Sequence, residues 1–102
     1  MAVRLNWAES ALRDLEGLAA YIAEDSPHFA RLTVERIVAR AERAAMFPLS
    51  GRVVPEYEEQ SIREAFWRHY RIVYHVEANA MTILAVVHGA RRLELDTDPE
   101  SS

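Results

Sequence analysis

A chain of 102 residues, 50% of them hydrophobic and 27% charged, has room for one domain around one core and not for two. Its 12 basic residues against 16 acidic ones leave a net charge of −4, which excludes a protein that coats nucleic acid through a general cationic surplus. The longest apolar run, residues 18–23, is far short of the ~20 residues of a membrane span; no secretory leader is apparent and there is no cysteine, so the expectation is a small soluble cytoplasmic domain without disulfide or thiolate chemistry.

Residues 2–7 alternate Val3, Leu5 and Trp7 against Arg4 and Asn6, the pattern of a short half-buried strand. From Ala8 the period changes. Ala8, Leu12, Leu15, Ala19 and Ile22 recur at steps of three and four, which predicts an amphipathic helix in which Gly17 costs up to ~1 kcal/mol relative to Ala. Asp25-Ser26-Pro27 ends that helix and starts another, with Ser26 capping free amides and Pro27 at the first helical position. The second helix stripes Ala30, Val34, Ile37, Val38, Ala41 and Ala45 opposite Arg31, Glu35, Arg36, Arg40, Glu42 and Arg43. It stops near Phe47, because Pro48 disfavours a helical residue before it. So short a joint makes the pair an antiparallel hairpin with a shared apolar face.

Residues 49–60 read as a loop rich in Glu, with a short extended piece at 52–54. Strand-like runs follow at 61–67, 70–76 and 81–88, the last apolar on both faces and so expected inside the sheet. Arg68-His69 and residues 77–80 read as hairpin turns, with Asn79 suited to positive φ. The acidic stretch 96–102 reads as a disordered tail, leaving a single domain over residues 1–95. The predicted fold class is α+β: an N-terminal strand, an α-helical hairpin, then a three-strand antiparallel meander, with the helices packed on one face of the sheet. The expected core is Trp7, Leu15, Ile22, Ile37, Ile72, Tyr74, Ile83 and Val87.

All 12 basic residues are arginine. Its planar fork suits carboxylate and phosphate, although GC-rich coding produces the same bias. Residues 61–92 hold Arg63, Arg68, Arg71, Arg91 and Arg92 against Glu64 and Glu77, a local +3, together with His69, His75 and His88. Arg71, Val73 and His75 alternate with Tyr70, Ile72 and Tyr74. Helices over the tyrosine face would leave Arg71 and His75 on an open face able to take a phosphate or an acidic partner segment. Pairing of these arginines with Glu56, Glu58 and Glu59 is the competing expectation. His88 ends an apolar strand just before Gly89, placed either for proton transfer near neutrality or as a half-buried structural group. There is no Gly-rich phosphate loop with a Lys, no HExxH, no G-x-S-x-G, and no histidine spacing typical of a metal site, so neither cofactor nor metal is expected.

Several short motifs recur in a set order. They are Trp7-Ala8 with Asp14-Leu15, Tyr21-Ile22-Ala23, Ser26-Pro27, Pro48-x-x-Gly51-Arg52-Val53-Val54-Pro55-Glu56, Ile62-Arg63-Glu64, Tyr70-Arg71-Ile72-x-Tyr74 and His88-Gly89-x-Arg91. This set resembles the RelE/ParE superfamily of type II toxin–antitoxin toxins over about residues 3–93, nearer ParE than RelE. The resemblance implies a helical hairpin against an antiparallel sheet, a toxin that inhibits growth and serves plasmid stabilisation, and a cognate antitoxin as partner. The ParE-like branch acts on DNA gyrase without hydrolysis. The RelE-like branch is a ribosome-dependent mRNA endoribonuclease. Membership of that branch would make Arg71 phosphate-stabilising and His88 catalytic, with Glu64 or Tyr57 accepting a proton. The chain is acidic, has no Lys, and carries no Tyr or His after His88, departures from the cleaving branch that favour gyrase. A non-toxic binding module of the same fold is a third expectation. The expected binding surface is Arg63, Arg71, His88 and Arg91.

Overall fold

A computed structural model describes residues 2–89. Strand β1 (Arg4–Trp7) leads into helices α1 (Glu9–Ala23) and α2 (Pro27–Met46), then a single 3-10 turn at Pro48–Ser50. Strands β2 (Arg52–Val53), β3 (Ile62–Trp67), β4 (Tyr70–Val76) and β5 (Ala80–His88) follow. They form one sheet in the order β1-β5-β4-β3-β2, in which β1 runs parallel to β5 and every other neighbour is antiparallel. The helix boundaries follow from local chemistry. Ser26 Oγ accepts from the Phe29 amide at 3.1 Å with Pro27 first in α2, and the helix ends one residue before Phe47-Pro48.

The helical hairpin packs Ala11, Leu15, Ile37, Ala41, Ala44 and Ala45 onto Ala65, Ile72, Tyr74, Met81, Ile83 and Val86 of the sheet. Leu15, Ile37, Ile72, Tyr74 and Ile83 are buried as expected, and Trp7 and Ile22 are half-buried. Val87 is half-buried on the opposite face, against Val54, Val73 and Ala85. A bulge explains that placement: Val73 lies opposite Ala85 while Tyr74 lies opposite Ile83, so Leu84 is an extra residue that reverses the alternation along β5.

Two further expectations are corrected. Left-handed backbone falls at Glu58 and Arg68, with φ 53° and 51°, and not at Asn79, since the turn before β5 closes through the Glu77 amide on the Ala80 carbonyl at 2.8 Å with no positive φ. Nor is the face that carries Arg71 open. Residues 54–60 fold back over it, fastened by Val54 N–H to Ile62 O at 3.1 Å and by Tyr57 and Glu58 N–H to Val54 O at 3.2 and 2.9 Å. Among the described residues no helix is long and apolar enough to cross a membrane. Arg91 and the 96–102 tail lie outside the described residues.

Candidate functional site

Arg71 projects from the middle strand towards the returning loop and is 5% exposed. Its Nε donates to Glu64 Oε1 at 2.7 Å, and its two Nη groups donate to the two oxygens of Glu56 at 2.9 Å each. Glu64, on β3, is itself 1% exposed, and its other oxygen accepts from Arg52 Nε at 2.7 Å. The strand register brings them together: Arg52 pairs with Glu64, and Glu64 lies beside Arg71 across the β3–β4 ladder. The Glu56 hydrogen bonds hold the Arg71 guanidinium well above its ordinary pKa against the opposing cost of burial, with Glu64 adding to the effect. Arg71 is therefore neutralised by one carboxylate from the loop and one from the neighbouring strand. The competing expectation of pairing with Glu56 describes it, while Glu58 and Glu59 are exposed.

Arg63 is also occupied. It donates to the carbonyls of Gln60, Leu49 and Gly51 at 2.9, 3.0 and 3.0 Å and to Gln60 Oε1 at 2.9 Å, tying the start of β3 to the 3-10 turn. Gly51 is required there because an added Cβ would sit on the Tyr74 hydroxyl and 2.8 Å from the Glu64 carbonyl. Tyr74, fully buried, donates to the Pro48 carbonyl at 2.8 Å. Burial pushes its phenol above the ordinary value, with the charges of Arg63 and Arg40 working against that rise.

His88 is exposed at the end of β5, stacked on His69 with ring centroids 5.9 Å apart and edge-on to Tyr70 at 5.9 Å. It borders a groove of about 690 Å³ between α1 and the last residues of β5, lined by Asp14, Leu18, Tyr21, Tyr70 and Val86 among others. Strand β1 stops opposite Ile83, and side chains of α1 serve the strand edge beyond it: Ser10 Oγ donates to Leu84 O at 2.7 Å, and Asp14 Oδ2 accepts from Val86 N–H at 2.9 Å. His88 pairs with Tyr70, which packs on the helical side, whereas Arg71 points to the loop side. The sheet thus separates His88 from Arg71. Of the residues the ribonuclease reading names, Glu64 and Arg71 touch one another. Tyr57 is half-buried over Val73, on the loop that Glu56 anchors. The Arg71–Glu64 contact was missed in sequence, although Glu64 shares the alternation of Ile62 and Phe66 and so belongs to the face of Arg71. Among the described residues no three metal-ligating side chains converge.

Residues 5–93 match the family model described as the ParE toxin of type II toxin–antitoxin systems, parDE. Over 49 residues the chain is 41% identical to Y4kP of Sinorhizobium fredii, whose description as a toxin is provisional. That stretch is 48% of this chain and 51% of the relative, so the chain spans about half the length of the curated relative it matches. The fold is similar to that in the chromosomal ParDE system of P. aeruginosa, with a TM-score of 0.71, 20% identity, and coverage of 85% of this chain and 96% of that one. It is also similar to that in the RelBE2 toxin–antitoxin complex of Mycobacterium tuberculosis, with a TM-score of 0.64, 22% identity, and coverage of 89% and 95%. At such identities the structural likenesses bear on the fold alone.

Proposed function

Because the chain belongs to the ParE toxin family of type II toxin–antitoxin systems, we propose that it arrests growth in the cytoplasm by acting on DNA gyrase through binding rather than hydrolysis, and that a cognate antitoxin neutralises it. The observation that carries the choice of target is the Glu56–Arg71–Glu64–Arg52 chain of ion pairs. Cleavage of a phosphodiester needs a cation facing the scissile phosphate and a base with a free lone pair for the 2′-hydroxyl proton. Here the guanidinium of Arg71 is committed to two carboxylates, and the carboxylate of Glu64 to two guanidiniums. A substrate phosphate would have to displace Glu56, and it would still face His88 only from the wrong side of the sheet. The antitoxin as partner is supported by the two-component composition of the ParDE and RelBE2 systems whose fold this chain shares. His88, Arg63 and Arg91 contribute to the working surface, and Arg71 holds the loop beside it.

Expression of the chain without an antitoxin tests the reading. Growth arrest with SOS induction, inhibition of gyrase supercoiling by the purified chain, and intact translated mRNA in primer extension are the expected results. Codon-positioned cleavage that disappears in Arg71→Ala would transfer the chain to the endoribonuclease reading. Normal growth at high expression would make it a binding module without toxicity.

A further inference from the structure

Three large apolar side chains project where α2 gives way to the sheet: Met46 is 48% exposed, Phe47 70% and Leu49 64%. A single exposed leucine means little, but a contiguous group on a fixed turn marks a contact site. This turn is fixed from several sides. The Phe47 amide donates to Ala44 O at 3.1 Å, and the Phe47 carbonyl accepts from the amide and the hydroxyl of Ser50 at 3.0 and 2.7 Å. Buried Tyr74 donates to Pro48 O at 2.8 Å, and Arg63 donates to Leu49 O and Gly51 O at 3.0 Å each. Pro48 fixes its own φ. The knob also stands in a positive field. Arg43 lies one helical turn before Phe47 on the same side of α2, and Arg63 grips the turn itself. Among the described residues neither arginine has a carboxylate partner, in contrast to Arg52 and Arg71. The Tyr74 hydroxyl, inside the turn, feels the charges of Arg63 and Arg40.

An apolar knob collared by guanidiniums is complemented by a hollow with an apolar floor and a carboxylate rim. Nucleic acid binds aromatic side chains by stacking, and two of these three side chains, Met46 and Leu49, have no ring to stack on. A second copy meeting through the same patch would set Arg43 and Arg63 against their own counterparts. A bilayer is fluid and gains nothing from so firmly held a turn, and its anionic headgroups would meet Glu42, one helical turn from Met46. In a protein pocket the same rigidity spares the ordering cost of association. A projecting shape also needs a folded receptor with a concavity, which an extended segment laid over the chain does not offer. We infer that the turn at residues 46–49 is the anchor by which the chain seats in an apolar, carboxylate-rimmed pocket of gyrase. The inference rests on the gyrase reading and adds to it the contact used and the chemistry of the receptor.

Surface plasmon resonance of the purified 102-residue chain on gyrase, with inhibition of supercoiling measured in parallel, provides the test. Phe47→Ser with Leu49→Ser weakens both by roughly a hundredfold. Both side chains are exposed, so the urea midpoint stays at the wild-type value. Arg43→Glu slows association about tenfold at low salt, an effect that shrinks as salt is added, and leaves dissociation nearly unchanged. Phe29→Ser, equally apolar and exposed but at the other end of α2, changes neither readout. A wild type that inhibits gyrase while the double variant inhibits it equally overturns the inference and leaves the gyrase reading standing; a wild type with no affinity for gyrase removes both. An equal loss in Phe29→Ser would overturn the inference as well. So would wild-type binding to phosphatidylglycerol vesicles that the double variant lacks, or a dimer in sedimentation that the double variant dissolves.

Discussion

On its helical side the sheet belongs to a cluster of 12 buried residues that are all apolar or aromatic, whereas the loop side buries Val54, Val73 and Ala85 and then turns to Arg71, Glu64 and Glu56. The difference follows from what covers each face. Two amphipathic helices bring a continuous apolar stripe; the returning loop, with Glu56, Glu58 and Glu59 among its residues, brings Val54 and Tyr57 and little else. Apolar burial can fix the helices wherever the stripe fits, but so small a patch leaves the loop free to slide. The bidentate Glu56–Arg71 pair defines one position for it. A buried ion pair of this kind adds little net stability over an apolar replacement, yet is costly to break from one side.

The largest effect expected is in the helical-side core. Ile83→Ala, at a position with 0% exposure, should cost about 4 kcal/mol in urea unfolding and lower the protection of all slowly exchanging amides together. Next is the loop side. Arg71→Met leaves the buried Glu64 carboxylate with Arg52 alone and should cost about 3 kcal/mol, with hydrogen exchange rising first at the Tyr57 and Glu58 amides that bond to Val54 O. Adding Glu64→Leu should recover most of that loss, because Arg52 is largely exposed and Glu56 can turn to solvent. A single variant no worse than a surface pair, or one that unfolds the whole chain at once, would erase the distinction between the two faces.

The helical side was legible in sequence because it is periodic. Leu15, Ile37 and Ile72 announce themselves by spacing, and Ser26-Pro27 and Pro48 mark the helix ends. The alternation of β4 also placed Arg71 and Tyr74 on opposite faces. What alternation cannot carry is coverage. Residues 54–60 have no period, so nothing local said that they return over Arg71, although Val54 and Tyr57 are apolar side chains that an exposed acidic loop would have no use for. Neighbourhood was equally invisible: β1 lies parallel beside β5, a pairing settled by the packing of the helical hairpin between them. The bulge at Leu84 turned Val87 to the other face, and Arg40 and Arg43 stood in the α2 spacing but read as ordinary solvent-facing charge until the turn after α2 was seen beside them.

The smallest expected effect concerns Tyr74, whose hydroxyl is a polar atom at the heart of the apolar side. Its burial favours the neutral phenol in the folded state and raises its pKa above the ordinary 10.0, against the charges of Arg63 and Arg40. The folded chain therefore holds this proton more tightly than the unfolded one. Stability from this group is full below pH 10 and falls as the pH climbs through the raised value. The chain has neither lysine nor cysteine, so no ammonium or thiol side chain adds its own titration in this region. Tyr74→Phe should cost about 1 kcal/mol at neutral pH and flatten the alkaline fall in urea midpoint, so that wild type and variant converge as the pH rises. Parallel curves would mean that the phenol ionises without strain, and that the helical side of the sheet admits water where its apolar lining says it should not.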